Sequence, residues 1–222
     1  MKKKEPASYA IIGVGRFGSA LARTLALSGR QIIICDKDAD RVKELRDLTP
    51  YAFVVPQMSK EALDEIGVRN CEVGIVCIGN AIEVSILATL HLINLGLPRV
   101  IAKATTQDQG QILERLGAEV VYPEHDMGVR LGKKLLSNHL VDFFSLNDET
   151  EIYEMMIPDK YVGKSVQEVD LRAKYGLNII AIERGESTIT DISPNYRFEF
   201  GDGIVVIGRI DSIQRFESDQ ER

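Results

Sequence analysis

Gly13, Gly15 and Gly18, spaced as G-x-G-x-x-G with Val14, Arg16 and Phe17 between them, are the residues of this chain best suited by type and spacing to chemistry. They follow an apolar run from Ser8 to Ile12 and precede a helical pattern of Phe17, Leu21, Leu25 and Leu27. The next apolar run, from Gln31 to Cys35, closes on Asp36. In that context each residue has a task in holding a nucleotide. Gly13 permits the tight strand-to-helix turn, Gly15 lets the backbone approach a pyrophosphate, and Gly18 lets the helix lie close on the strand. The phosphates then meet free N–H groups and the positive end of a helix. Asp36 is suited to accept hydrogen bonds from a ribose, which argues against a 2′-phosphate.

Such a loop works only at the edge of a sheet. Apolar runs expected as strands lie at 8–13, 31–36, 51–55, 73–78, 99–104 and 119–122, and helical patterns separate them at 16–28, 39–48, 60–66, 81–95 and 108–116. This alternation predicts an α/β fold, a Rossmann-like doubly wound parallel sheet with helices on both faces. The 81–95 pattern carries Ile82, Ile86, Leu87, Leu90, Ile93 and Leu95, apolar over so wide an arc that it reads as a core helix or one at a subunit contact. From Pro123 an amphipathic helix follows, 124–136, then a short strand at 141–146 and the polar stretch 147–151, where we place the domain boundary. Residues 1–146 are expected to form the first domain. Residues 147–222 read as a small α+β lobe, with strands at 152–157, 178–183, 188–192 and 204–208 and helices at 165–175 and 211–217. By size that lobe buries a modest core, which favours packing against a copy of itself.

The 222 residues suit one or two domains, and 45% hydrophobic with 27% charged residues is ordinary for a globular protein. A net charge of -6 disfavours a nucleic-acid partner, whose phosphates call for basic surface. Lys2, Lys3 and Lys4 read as a solvated basic arm; no apolar leader follows them and no run of about 18 apolar residues occurs, so a cytoplasmic protein is expected. Cys35, Cys71 and Cys77 are odd in number and lie in or beside apolar runs, the pattern of buried free thiols.

A dehydrogenase built on this fold needs groups that orient a substrate and donate a proton beside the nicotinamide. None stands out. His91 lies in an apolar helix, His125 at a helix start and His139 at that helix's far end, none beside a recognisable nucleophile or base. His125 and Asp126 are adjacent on a helix, where neighbours point different ways, which argues against a metal site. No P-loop and no G-x-S-x-G motif is present. Nucleotide binding without catalytic machinery suggests a sensor and not an enzyme.

The run Ile11 to Gly18, the segment Tyr122 to Arg130, the segment Val169 to Asn178 and the ending Phe198 to Gly208 together resemble one family. It comprises the cytosolic regulatory subunits of Ktr-type potassium transporters, the RCK proteins built from TrkA-N and TrkA-C domains, and the similarity is to its KtrA/KtrC group. The resemblance runs over essentially the whole chain. It implies a homodimer assembling into an octameric ring that binds ATP or ADP in its first domain and docks on a membrane potassium channel subunit at the inner face of the membrane. It implies that Arg16 reaches the terminal phosphate, that Asp36 holds the ribose, and that Glu124 helps hold a cation near the phosphates. On its own chemistry Glu124 is a helix-start carboxylate favoured by the dipole. Gly79 and Asn80 end a strand where the adenosine part should pass, and Lys103, also at a strand end, is either a group of the site or a surface lysine. One segment departs from the family: Val55 to Lys60 replaces its usual Gly-Asp-Ala-Thr-like turn beside the adenine, with Met58 available for the base or for filling the loop. In the second domain the resemblance implies a cyclic di-AMP site between two lobes, lined by Arg172, Asn178, Ile179 and Pro194. Arginine suits a phosphate, asparagine a base edge or phosphate, and the apolar pair a base face.

Two readings result. The first is a regulatory subunit gated by ATP against ADP. The second is an NAD(H)-binding oxidoreductase or redox sensor, for which the glycine loop and Asp36 would look the same.

Overall fold

The computed structural model describes residues 8–136 and 140–219. The expected lysine arm at Lys2 to Lys4 and the expected helix-end His139 lie outside these residues. Among the described residues the contacts divide the chain into two units, one ending at Asp126 and the other beginning at Met127.

In the first unit β1 (Ser8–Ile12), β2 (Gln31–Asp36), β3 (Ala52–Val54), β4 (Val73–Val76), β5 (Arg99–Lys103) and β6 (Glu119–Val121) form one parallel sheet in the order β3-β2-β1-β4-β5-β6. The intervening helices are α1 (Arg16–Leu27), α2 (Ala39–Lys43), α3 (Lys60–Glu65), α4 (Ile82–Asn94) and α5 (Gln107–Leu116). Side chains alternate across the sheet, and both faces are apolar. Ala10, Ile12, Val76 and Ala102 join one buried cluster while Ile11, Ile34 and Ile75 join another. That two-sided burial is why these strands read as continuous apolar runs. Chain order reverses direction at β1, flanked by β2 and β4, so a crevice opens there at the strands' C-terminal ends.

Helix starts follow local chemistry. Asp38, Ser59 and Thr106 cap α2, α3 and α5 by accepting from the backbone N–H of Asp40, Ala62 and Gln109. The cap position of α1 is Gly15, which offers no side chain, so the first N–H groups of α1 keep their bonding capacity for something else. The long helix expected at 39–48 stops at Lys43 and continues as turns.

α4, expected as a core helix or one at a subunit contact, meets the core with only part of its large apolar set: Ile86, Ile93 and Leu95 pack on it. Ser85, Ala88, Thr89 and Leu92 face the core, whereas Ile82 and Leu87 are 42% and 43% exposed. Small residues on the inner face allow close approach to the sheet. The Thr89 hydroxyl is satisfied by donating to the Ser85 carbonyl, 2.8 Å away.

α6 (Pro123–Leu136) carries the chain from the first unit into the second, with proline at its first position. The second unit is an antiparallel sheet of β7 (Leu140–Ser145), β8 (Thr150–Met156), β9 (Asn178–Arg184), β10 (Ser187–Ile189) and β11 (Gly203–Arg209), in the order β10-β9-β11-β8-β7. Because β7 pairs with β8 across a short turn, the boundary expected at residues 146 and 147 falls inside this sheet, and the division of contacts lies earlier, within α6. The helix expected at 165–175 is two, α7 (Val166–Val169) and α8 (Leu171–Tyr175), broken where Asp170 turns to φ 47° and caps α8 by accepting from Ala173. α9 (Ile210–Ser218) sends Ile213 and Phe216 into the core with Tyr153, Met155, Ile182 and Phe198. Asp202 is 1% exposed and fully partnered: Arg184 Nε and Nη2 donate at 2.8 and 2.9 Å, the Tyr196 hydroxyl at 3.0 Å and the Glu199 N–H at 2.8 Å. Burial alone would raise the Asp202 pKa; these donors hold it below the ordinary value.

Candidate nucleotide-binding site

Gly13 takes φ +92°, the left-handed turn that lets β1 feed α1, and a side chain there would meet Ile78 Cγ1 at 2.9 Å. Gly18 lies so close to the strand that a Cβ would stand 2.1 Å from the Gly13 carbonyl oxygen and 3.2 Å from Cys77 Cβ. Gly15 is different. A Cβ there would meet only Arg41 Nη1, at 3.8 Å, so the outer side of the loop stays open beside the uncapped start of α1. Helix dipole and free N–H groups together suit that opening to a phosphate.

Asp36, at the end of β2, is 5% exposed. Its Oδ2 accepts from the Val14 N–H at 2.7 Å and its Oδ1 from the Asp38 N–H at 3.0 Å, so the carboxylate holds the glycine loop in shape. A carboxylate has about four acceptor positions. Two remain for the two hydroxyls of a ribose.

The opening is ringed by charge. Arg16 is the first residue of α1 and is exposed. Lys103 ends β5 and is 8% exposed; its Nζ donates to Glu124 Oε1 at the start of α6 and stands 6.0 Å from the centre of the Phe17 ring. A Cβ on Gly79 would be 3.4 Å from the same nitrogen. Lys103 lowers the Glu124 pKa, with Arg16 adding to the effect at longer range. Of the two sequence alternatives for Lys103, the surface one is overturned: β5 is an inner strand, and its last side chain points between Phe17 and Gly79. The loop that follows β5 is fixed from below. Gln109 Oε1 accepts from the Thr105 N–H and hydroxyl at 2.9 and 3.0 Å, and its Nε2 donates to the Ser85 hydroxyl at 3.3 Å.

The structure thus brings Gly13, Gly15, Arg16, Phe17, Gly18, Asp36, Gly79, Lys103 and Glu124 to one edge of the sheet, with Asn80 exposed beside Gly79. Sequence reasoning missed Arg41. Its guanidinium is 3.9 Å from Asp36 Oδ2 and 3.4 Å from Asp38 Oδ2, over the open side of Gly15. Met58 is half-buried and packs on the core, its Sδ 4.0 Å from Cys35 Sγ, so it fills the loop. Cys35, Cys71 and Cys77 are buried and free, and burial pushes the Cys35 and Cys77 thiols up to about 12.

Among the described residues no three His, Cys, Asp or Glu gather to hold a metal ion. His125 Nδ1 and Asp126 Oδ1 lie 3.2 Å apart, closer than their adjacency on a helix suggested, and both are exposed. Glu124 offers a single carboxylate. That suits a divalent cation which keeps its waters and takes further oxygens from phosphates.

In the second unit Arg172 lies on α8, Asn178 and Ile179 open β9, and Pro194 lies between β10 and β11, its carbonyl accepting from the Gln167 N–H at 3.0 Å. Arg172, Asn178 and Pro194 are exposed, while Ile179 is partly buried against the core. No helix among the described residues is long and apolar enough to cross a membrane.

The TrkA-N domain model matches residues 9–123 and the TrkA-C domain model residues 152–219. The chain is 34% identical over 216 residues to the Ktr system potassium uptake protein C of Bacillus subtilis (strain 168), covering 97% of this chain and 96% of that protein. It is 31% identical over 212 residues to the Ktr system potassium uptake protein A of the same organism, covering 95% and 96%. The crystal structure of the GsuK RCK domain shares the fold, with a TM-score of 0.66 and 17% identity over 98% of this chain and 48% of that one. With both domain models in order and relatives aligned from end to end, the chain belongs to the TrkA-N/TrkA-C family, the regulatory RCK subunits of potassium uptake.

Proposed function

We propose that this chain is a nucleotide-gated regulatory subunit that controls potassium passage through a membrane channel subunit, with ATP against ADP acting on the first unit and cyclic di-AMP on the second. The observation that carries the reading is the basic charge at this edge of the sheet: Arg16 opens the uncapped α1, Lys103 stands 6.0 Å from the Phe17 ring in its first turn, and Arg41 lies over the open side of Gly15, beyond the Asp36 anchor for a ribose. This arrangement suits a polyphosphate tail better than a nicotinamide. We assign the discrimination of ATP from ADP to Arg16, at the first position of α1, because a guanidinium can take a terminal phosphate that ADP lacks. A ligand shifts an assembly only through unequal affinity for two states, and that phosphate supplies the inequality.

Assembly with further copies, up to the ring implied by the family resemblance, is supported by apolar surface. Ile82 and Leu87 of α4 are exposed, as are Met127, Leu131 and Leu135, which share one face of α6. A two-fold symmetric dinucleotide suits a contact in which each lobe offers the same patch, here Arg172, Asn178, Ile179 and Pro194. The name Ktr system potassium uptake protein, borne by three relatives, supports a potassium-transporting partner, and the family resemblance adds docking at the inner face of the membrane.

Calorimetry on the full chain with two variants tests both ligand assignments. Arg16→Ala should remove the preference for ATP over ADP, leave ADP binding nearly unchanged and spare cyclic di-AMP. Arg172→Ala should do the reverse, weakening cyclic di-AMP by about tenfold or more through loss of charge-assisted bonds and sparing ATP. Equal weakening of ATP and ADP by Arg16→Ala would move the discrimination to another residue.

A further inference from the structure

Glu124 poses a question of charge: a carboxylate stands at the edge of a site built for anions, and the buried ammonium that could serve those anions is already donating to it. An ammonium as buried as that of Lys103 requires a counter-ion when no ligand is present. Glu124 supplies it. The Lys103 Nζ also lies within 6.0 Å of the Phe17 ring in the first turn of α1, where the terminal phosphates would lie. Lys103 can therefore serve Glu124 or a phosphate, and an unscreened Glu124 repels the phosphate.

We propose that Lys103 and Glu124 form an exchangeable ion pair: in the free protein the lysine neutralises the carboxylate, and a divalent cation that takes the carboxylate releases the lysine to the polyphosphate tail. The inference rests on the nucleotide reading above and adds to it that a metal would relieve an internal brake as well as bridge phosphates. Two other basic groups stand at the same mouth: Arg16 acts on Glu124 only at longer range, and Arg41 has Asp36 and Asp38 as partners, so Lys103 alone donates to Glu124 among the described residues.

The test is calorimetry on the full chain with ATP in a chelator, ATP with Mg2+, and Mn2+ alone. The Glu124 side chain is 66% exposed, so Glu124→Gln should keep the fold. It is expected to bind metal-free ATP about tenfold more tightly than the wild type, and to gain nothing further from Mg2+. Lys103→Gln is expected to bind Mn2+ alone more tightly than the wild type while losing metal-free ATP affinity. Metal-free ATP binding by Glu124→Gln no tighter than the wild type would overturn the exchange while leaving the nucleotide site standing. A wild-type chain that binds ATP under neither condition would overturn both.

Discussion

Asp36→Ala is expected to weaken ATP, ADP and NADH together, by roughly ten- to a hundredfold each, because the ribose hydrogen bonds it removes are common to all three. A bond to a charged acceptor is worth about 1.5–3 kcal/mol, which sets that range. The structure adds a second loss. Asp36 Oδ2 also accepts from Val14 and Oδ1 from Asp38, so alanine leaves the Val14 N–H of the glycine loop without its partner. Asp36→Asn keeps part of the loop support, since its amide oxygen can still accept from Val14, while its NH2 replaces the oxygen that accepts from Asp38 and offers a ribose hydroxyl no second acceptor. We expect the asparagine variant to melt between the alanine variant and the wild type and still bind weakly. Unchanged affinity in either folded variant would show that the ribose lies elsewhere.

Gly18→Ala should give the largest loss of stability of any single methyl in the first unit. The added Cβ would fall 2.1 Å from the Gly13 carbonyl oxygen, which is backbone and cannot rotate aside. Gly13 is itself held, by its φ of +92° and by its N–H donating to the Cys35 carbonyl at 2.8 Å. Relief requires lifting α1 from β1, which opens the packing of Ala22 and Val14 beneath it. Overpacking of this kind costs about 3 kcal/mol, or a fall of roughly 6–12 °C in melting temperature for a chain of this size. Differential scanning calorimetry reads it directly. A variant melting within about 2 °C of the wild type would mean that the helix already has room to move.

What the sequence disclosed follows from how local the physical requirement is. Gly13, Gly18 and Asp36 carry needs met within one strand-turn-helix unit, a positive φ, a missing Cβ and an acceptor at a strand end, so their types mark them. The parallel sheet was legible for a similar reason: burial on both faces writes itself as apolar runs, from Ser8 to Ile12 and from Val73 to Val76. Requirements that arise between distant segments left no such mark. Lys103 and Glu124 meet because β5 and β6 are neighbours, which no local pattern states. Arg41 returns over Gly15 only because α2 starts immediately after β2 under an Asp38 cap. The inner face of α4 mixes Ser85, Ala88 and Thr89 with Leu92, which a reading by size and hydrophobicity does not disclose, because close approach to the sheet favours small residues at those positions. Asp170 breaks a continuous helical pattern because its carboxylate caps the next helix, and non-glycine residues with positive φ are rarely foreseen. The polar stretch after Leu146 turned out to be a hairpin connection between β7 and β8, since a tight turn and a linker share the same composition.

The most direct test of the account is a calorimetric titration of the full chain, with Mg2+ present, by ATP, ADP and NADH in turn. The charge gathered by Arg16 and Lys103 at the start of α1 predicts ATP as the tightest of the three, with ADP weaker for want of a terminal phosphate. NADH binding at least as tightly as ATP would contradict it, and would make the chain a sensor of dinucleotides in place of nucleoside triphosphate.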